Sequence, residues 1–328
     1  MLNLQRKSDL FFESVPSYHN DYLDVGGGHK IYYEQYGNPN GKPVLFLHGG
    51  PGAGFSNSHK GFFDPKLFRV IFFDQRGSGK SIPYAEIDNN NTKALLSDIE
   101  LLRSFLNIDQ WYLFGGSWGS TLAILYGIKH PSRALGFILR GIFLGTKNEI
   151  NWFLYGMKSF FPEAHNNFIR KIPQKERNNI LEWFNKNLNL HNSKNVNDLA
   201  SIWNSYESSC STLMGKSSGY SGNAPGALSL ARIEAHYFVN NMFVSDDYFL
   251  GQIDRVRHLP GIVVQGRYDM VCPPVTAFQL YSEWPKLDLK LVPDAGHSAM
   301  EPTIRSELIK ATNTFRNTYT PVSGEFSD

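Results

Sequence analysis

One serine, Ser117, stands between glycines in Gly115-Gly116-Ser117-Trp118-Gly119, with the apolar run WYLF before it and the helix-like run STLAILYGI after it. The spacing is G-x-S-x-G, set between a strand and a helix. A turn this tight admits only small residues beside the serine, lifts its hydroxyl clear of the sheet and starts a helix directly behind it. The helix start offers free N–H groups and a partial positive charge where an oxyanion would form. A serine hydroxyl is a weak nucleophile at neutral pH, so it needs a base, and the base needs an orienting group. The chain order that accompanies such an elbow is Ser, then acid, then His, with the last two in loops at strand ends. Asp269 follows the run GIVVQGRY and His297 follows LDLKLVPDAG, both in that order after Ser117. Asp288 lies at the start of a strand-like run, the wrong end, and Asp294 is close enough to His297 to shape its turn instead. His236 and His258 fall in or beside a helical insert and read as packing or surface residues. The second oxyanion donor belongs in the loop His48-Gly49-Gly50-Pro51-Gly52, where glycines let the backbone approach a substrate. The N–H groups of Gly50 and Trp118 are therefore the expected oxyanion pair. A phosphate cradle is the weaker reading of that loop, since no Lys-Ser/Thr follows it.

The elements that must hold these residues alternate. Residues 31–37, 43–49, 68–74, 111–115 and 134–141 read as strands, mostly continuous apolar runs of the kind buried on both faces of a parallel sheet. Residues 92–108 carry Leu95, Ile99, Leu102 and Leu106 at helical spacing. From 142 to 251 the alternation breaks into a helical stretch rich in Asn, Ser, Trp and Phe. Strands return at 261–269 and 287–297, and a helix over 303–317 closes the chain. The expectation is an α/β fold with a mostly parallel sheet flanked by helices, its core formed by 1–141 and 252–328 and interrupted by a helical cap over 142–251.

With 41% hydrophobic and 19% charged residues among 328, the chain has enough apolar content for a large core. A net charge of +2 argues against a nucleic-acid surface or a basic membrane patch. No apolar stretch is long enough to span a bilayer, and the opening MLNLQRKSDLFFESVP lacks the apolar segment of a secretory leader. Cys210 and Cys272 read as free thiols in a reducing cytoplasm. His48 is alone in its loop and no HExxH or paired-cysteine pattern occurs, so neither metal nor other cofactor is expected.

The blocks HGGPGAG, DQRGSGKS, GGSWGS, GRYDMVCP and AGHS resemble, in succession, those of the proline iminopeptidases, or prolyl aminopeptidases, from about residue 31 to the last helix. The resemblance implies the α/β-hydrolase fold, a metal-free serine mechanism and short peptides with N-terminal proline as substrates. In the insert, ARIEAHYF resembles the family's RIExHYF block and IWNSYE its WxxWE block, with Tyr206 where an indole is usual. HGGPGAG departs too, carrying Ala53 where a third glycine is common. The resemblance points Glu207 and Glu234 at the charged substrate amine. Arg140 then either holds the glutamates or makes a plain strand-end ion pair. Phe143, Trp203 and Tyr237 are the aromatic candidates for a pyrrolidine pocket. Asp74 and Arg76, in DQRG, are read as fixing loops rather than doing chemistry.

An esterase, amidase or lactonase on the same scaffold is the alternative, and a binding protein that has abandoned catalysis is another. Two acids in the cap argue for an amine-bearing substrate. A complete Ser, Asp and His set argues for catalysis. Oligomeric state is not legible in the sequence.

Overall fold

The computed structural model describes residues 11–190, 195–214 and 226–317. The N-terminal leader reading falls partly on 1–10, outside the described residues. Eight strands form one sheet: β1 (His19–Gly26), β2 (His29–Gly37), β3 (Lys42–Leu47), β4 (Phe68–Phe73), β5 (Trp111–Ser117), β6 (Ala134–Ile142), β7 (Gly261–Gly266) and β8 (Leu287–Val292). Their order is β1-β2-β4-β3-β5-β6-β7-β8. β1, β2 and β4 pair antiparallel, and every pairing from β4 through β8 is parallel. The described helices are α1 (Thr92–Phe105), α2 (Trp118–Lys129), α3 (Lys147–Asn151), α4 (Pro162–Ile169), α5 (Ile180–Leu188), α6 (Val196–Cys210), α7 (Ala227–Val239), α8 (Tyr248–Gln252), α9 (Pro274–Glu283) and α10 (Pro302–Thr314). Those from α3 to α8 lie between β6 and β7 in the chain.

The sheet separates two apolar layers because side chains alternate across each strand. Along β5, Trp111 and Leu113 join Trp118, Leu122 and Tyr126 on one face, while Tyr112 and Phe114 join Phe46, Phe62 and Phe72 on the other. α2 is buried along nearly its whole length, with Lys129 at its end the exception. α1 is capped by Asn91, whose side chain accepts from the Ala94 amide at 3.0 Å. No helix among the described residues is long and apolar enough to cross a membrane.

Two elements differ from the sequence reading. β1 was not expected: HNDYLDVG is an exposed edge strand held by its ladder to β2. α9 was not expected either, because Val275, Phe278 and Tyr281 face outward while Thr276, Ala277 and Leu280 are buried.

Candidate active site

Ser117 ends β5 and precedes α2 with φ 57° and ψ −128°, a backbone setting that side chains rarely adopt. The neighbouring glycines make that turn physically possible. A Cβ on Gly115 would collide with the Gly119 carbonyl, and one on Gly119 with the Leu47 carbonyl. The hydroxyl of Ser117 sits 4.0 Å from the Cys272 thiol, in a site where Ser117 itself is 8% exposed.

Asp269 and His297 meet across the loops after β7 and β8. Asp269 Oδ2 accepts from His297 Nδ1 at 2.8 Å, with the aspartate 1% exposed. The carboxylate is fully engaged: Oδ1 accepts from the Cys272 amide at 2.8 Å, and Oδ2 also accepts from Gln265 Nε2 at 3.2 Å. Gln265 in turn donates to the Cys272 carbonyl at 3.0 Å and accepts from the Ile142 amide at 3.0 Å, tying β7 to the end of β6. The rival acids stand apart, both exposed, and Asp288 pairs with Lys290 at 2.7 Å. Of the rival histidines, His236 meets the Asn90 carbonyl at 2.9 Å and His258 is exposed.

Arg140, near the end of β6, donates Nη1 to His297 Nε2 at 2.9 Å and to the His297 carbonyl at 3.0 Å. Neither alternative read from the sequence includes this contact. Burial lowers the pKa of His297, Asp269 opposes that, and the Arg140 cation adds to it, so the imidazole favours its neutral, basic form. Nδ1 facing a carboxylate carries the proton, which leaves Nε2 as the acceptor.

The helical insert reaches this centre from above. The carbonyl of Ser211, just past α6, accepts from the amides of His297 at 2.9 Å and Ser298 at 2.8 Å. Trp203 and Glu207 are four apart on α6 and share a face. Trp203 donates its indole N–H to Glu234 Oε2 on α7 at 2.5 Å, both residues being buried. Burial raises Glu207 to about 7, with Arg140 pulling the other way. Burial, reinforced by the charge of Glu207, pushes Glu234 well above the carboxylate range. Two carboxyls in one low-dielectric site thus resist ionising together. Phe143 is buried against Phe238, with ring centroids 6.0 Å apart. Tyr237 is committed elsewhere: its hydroxyl donates to Asn90 at 3.0 Å and its ring meets Trp118 edge-on. Tyr206 donates its hydroxyl to the Phe153 carbonyl at 2.9 Å and stacks on Phe168, a packing role in the insert.

The loop of Gly49 and Gly50 lies beside the elbow, where a Cβ on Gly49 would sit 3.2 Å from the Gly116 carbonyl and 3.5 Å from Ser117 Cβ. Its far end is held by Asp74, which accepts from the amides of Phe55 at 2.9 Å and Lys80 at 2.8 Å. From α7, Ser229 donates to the Gly52 carbonyl at 2.9 Å. Arg76 makes a buried two-pronged pair with Asp98 at 2.6 and 2.7 Å. Cys210 and Cys272 are unpaired and buried. Sequence reasoning missed Gln75, Gln265 and the contact of Arg140 with the imidazole. The available signal was a glutamine inside or just beyond an apolar strand, a buried polar group that must find partners.

Over residues 42–302 the chain matches the family described as alpha/beta hydrolase fold. It is 47% identical over 308 residues to a probable proline iminopeptidase of Leptolyngbya boryana, spanning 93% of this chain and 96% of that protein. It is 43% identical to a proline iminopeptidase of Arabidopsis thaliana, over 92% of this chain and 80% of that one. For the proline iminopeptidase of Neisseria gonorrhoeae the identity is 40%, over 92% and 97%. Among solved structures, a proline iminopeptidase-related protein of Thermus thermophilus gives a TM-score of 0.58 at 20% identity, covering 92% of this chain and 98% of that one. An esterase of Exiguobacterium antarcticum gives 0.56 at 18%, covering 91% and 99%, a likeness of fold.

Proposed function

The chain belongs to the proline iminopeptidase family of the α/β-hydrolase fold, and from that premise we propose that it is a serine exopeptidase releasing N-terminal proline from short peptides. Ser117 attacks the carbonyl carbon of the first residue while His297 Nε2 takes the hydroxyl proton. Asp269 holds the imidazole in the required tautomer and stabilises its protonated form. The N–H groups of Gly50 and Trp118 receive the developing oxyanion. His297 then gives its proton to the leaving peptide amine as the C–N bond breaks, leaving a prolyl ester on Ser117. Water, deprotonated by the same histidine, cleaves that ester and frees proline. Before the first transfer Arg140 gives up its bond to Nε2, and its bond to the His297 carbonyl provides the anchor from which it moves.

The observation that carries the substrate assignment is the buried Glu234 with the half-buried Glu207 acting on its charge. Two carboxyls raised by burial, Glu234 also by the charge of Glu207, gain most from a cation placed between them, and a terminal proline brings a secondary ammonium. In this reading residues 142–251 act as a cap that closes over the amine, with Phe143 and Trp203 beside the ring. Two unpaired buried thiols fit a reducing compartment such as the cytoplasm. The test is kcat/KM for prolyl-arylamide, acetyl-prolyl-arylamide and a short acyl ester, with Ser117→Ala as the blank. The free prolyl compound is expected to be fastest and the acetylated one refused. Equal rates with and without the acetyl group overturn the aminopeptidase assignment.

A further inference from the structure

Gln75 lies two residues past β4, is 1% exposed, and has no part in the chemistry described so far. Its backbone N–H and both ends of its side chain are used. The main-chain N–H donates to His48 Nε2 at 3.0 Å, and the side-chain Nε2 donates to the His48 carbonyl at 3.0 Å. The side-chain Oε1 accepts from the Trp118 indole N–H at 2.8 Å. His48 is itself fixed by this arrangement. Its Nδ1 lies 2.9 Å from the Gly49 carbonyl and 3.2 Å from the Gly54 amide, so both ring nitrogens are held. Burial holds the imidazole neutral, its pKa lowered to about 4.

The placement of the three residues gives this network its meaning. The ladder between β3 and β5 ends at the pair Leu47 and Gly115. Past that pair, one strand runs into His48-Gly49-Gly50 and the other into Ser117-Trp118. Gln75 joins the two loops where the ladder no longer does. An oxyanion hole works only when both donors lie about 2.7–3.1 Å from the oxygen of the tetrahedral intermediate. Backbone packing of Gly49 on Gly116 and of Gly119 on Leu47 brings the two loops together, and Gln75 adds the hydrogen-bonded side-chain link between them.

We propose that Gln75 is a positioning residue of the oxyanion hole, setting the separation of the Gly50 and Trp118 N–H groups through His48 and the Trp118 indole. This rests on the reading of Ser117 as nucleophile and of those two amides as donors. Its consequence is selective: loss of Gln75 is felt in the transition state and not in substrate binding.

The experiment compares Gln75→Leu, Gln75→Glu, Trp118→Phe and the Gln75→Leu/Trp118→Phe double variant. For Gln75→Leu the expected loss in kcat is about a hundredfold, at the low end of what removing one oxyanion donor costs, with KM within about twofold. Affinity for a proline boronate, which forms a tetrahedral adduct on the serine, falls in parallel with kcat, while affinity for free proline holds. Gln75→Glu keeps the acceptor for the indole and recovers part of the rate. Trp118→Phe removes the indole donor from the other side, and the double variant is no slower than Gln75→Leu alone, because the two side chains act as one link. If Gln75→Leu does not fold, Trp118→Phe carries the same test. A folded Gln75→Leu with unchanged kcat and boronate affinity overturns the proposal, as do losses that fall on KM or on proline affinity. Labelling of Ser117 by a fluorophosphonate separates the two failures. Turnover that survives Ser117→Ala overturns the nucleophile reading itself; a labelled Ser117 with normal Gln75 variants overturns only the positioning role.

Discussion

Replacing Asp269 by asparagine changes one oxygen for an amide nitrogen, and the contacts around it decide which one. If the new NH2 takes the place of Oδ1, it faces the Cys272 main-chain N–H, 2.8 Å away and unable to become an acceptor. If it takes the place of Oδ2, it faces the imidazole, which can change tautomer, and Gln265 Nε2 at the longer distance of 3.2 Å. The second orientation keeps the short Cys272 bond and gives up the longer Gln265 bond together with the Arg140 bond to Nε2, which the proposed mechanism has to release before turnover in any case. His297 must then accept at Nδ1 and carry its proton on Nε2, the nitrogen meant to receive the Ser117 proton. An Asp-to-Asn change that enforces the wrong tautomer lowers kcat by about 10⁴ in serine hydrolases of this logic, or roughly 5 kcal/mol of transition-state stabilisation. The same factor is expected for kcat on prolyl-arylamide and for the rate of fluorophosphonate labelling, since both need the same deprotonation. Circular dichroism and the unfolding midpoint are expected to stay near the parent, because shape and most hydrogen bonds remain. A folded Asp269→Asn protein within tenfold of the parent rate would falsify the assignment of Asp269 as the orienting acid.

Glu234→Gln is expected to lower kcat/KM for prolyl-arylamide by about thirtyfold, near 2 kcal/mol for one member of a buried charge pair, and to leave a short acyl ester within threefold. Equal losses on both substrates would mean that the glutamate serves the fold. Glu207, raised to about 7, should give kcat/KM for free prolyl substrates a limb that rises with pH through that value and is missing for the ester. The stability sign is opposite: a carboxyl raised on folding contributes most below its unfolded pKa and loses that contribution as pH climbs to about 7, so the free enzyme's melting temperature should fall over that window. Gly119→Ala forces a Cβ into the Leu47 carbonyl and should cost about 3 kcal/mol, the upper end for overpacking, read from the denaturant midpoint.

The inner parallel strands were legible because both their faces are covered, giving apolar runs such as PVLF and VIFF, whereas the edge strand β8 alternates as LDLKLV. β1 offers no such run; its residues are exposed or half-buried and it exists because β2 supplies hydrogen-bond partners across the sheet. α9 escaped because apolar Val275, Phe278 and Tyr281 lie outside while Thr276 and Ala277 share the buried face with Leu280, which blurs the helical stripe.

The proposed nucleophile, acid and base stand out by chain order and strand ends because backbone geometry dictates where such residues stand. The side chains that hold them follow a different rule. Gln265 in GIVVQG and Gln75 after FRVIFFD are each a single amide near an apolar run, and their partners are Ile142 and Cys272 for the first and His48 and Trp118 for the second. Nothing local says which partners those are, but the cost of burying an amide unpaired says that partners exist. Arg140 makes the same point more sharply. The sequence offers it two roles, and in both its partner is a carboxylate. In the fold, the half-buried guanidinium donates to the imidazole of His297 and to the carbonyl behind it, while its charge also reaches Asp269 and Glu207. Burial, aided by the Arg140 cation, favours the neutral imidazole, and in the proposed mechanism the guanidinium that occupies Nε2 has to step aside for the serine proton. That pairing of effects depends on how β6 and the loop after β8 meet in space, and no spacing along the chain encodes it.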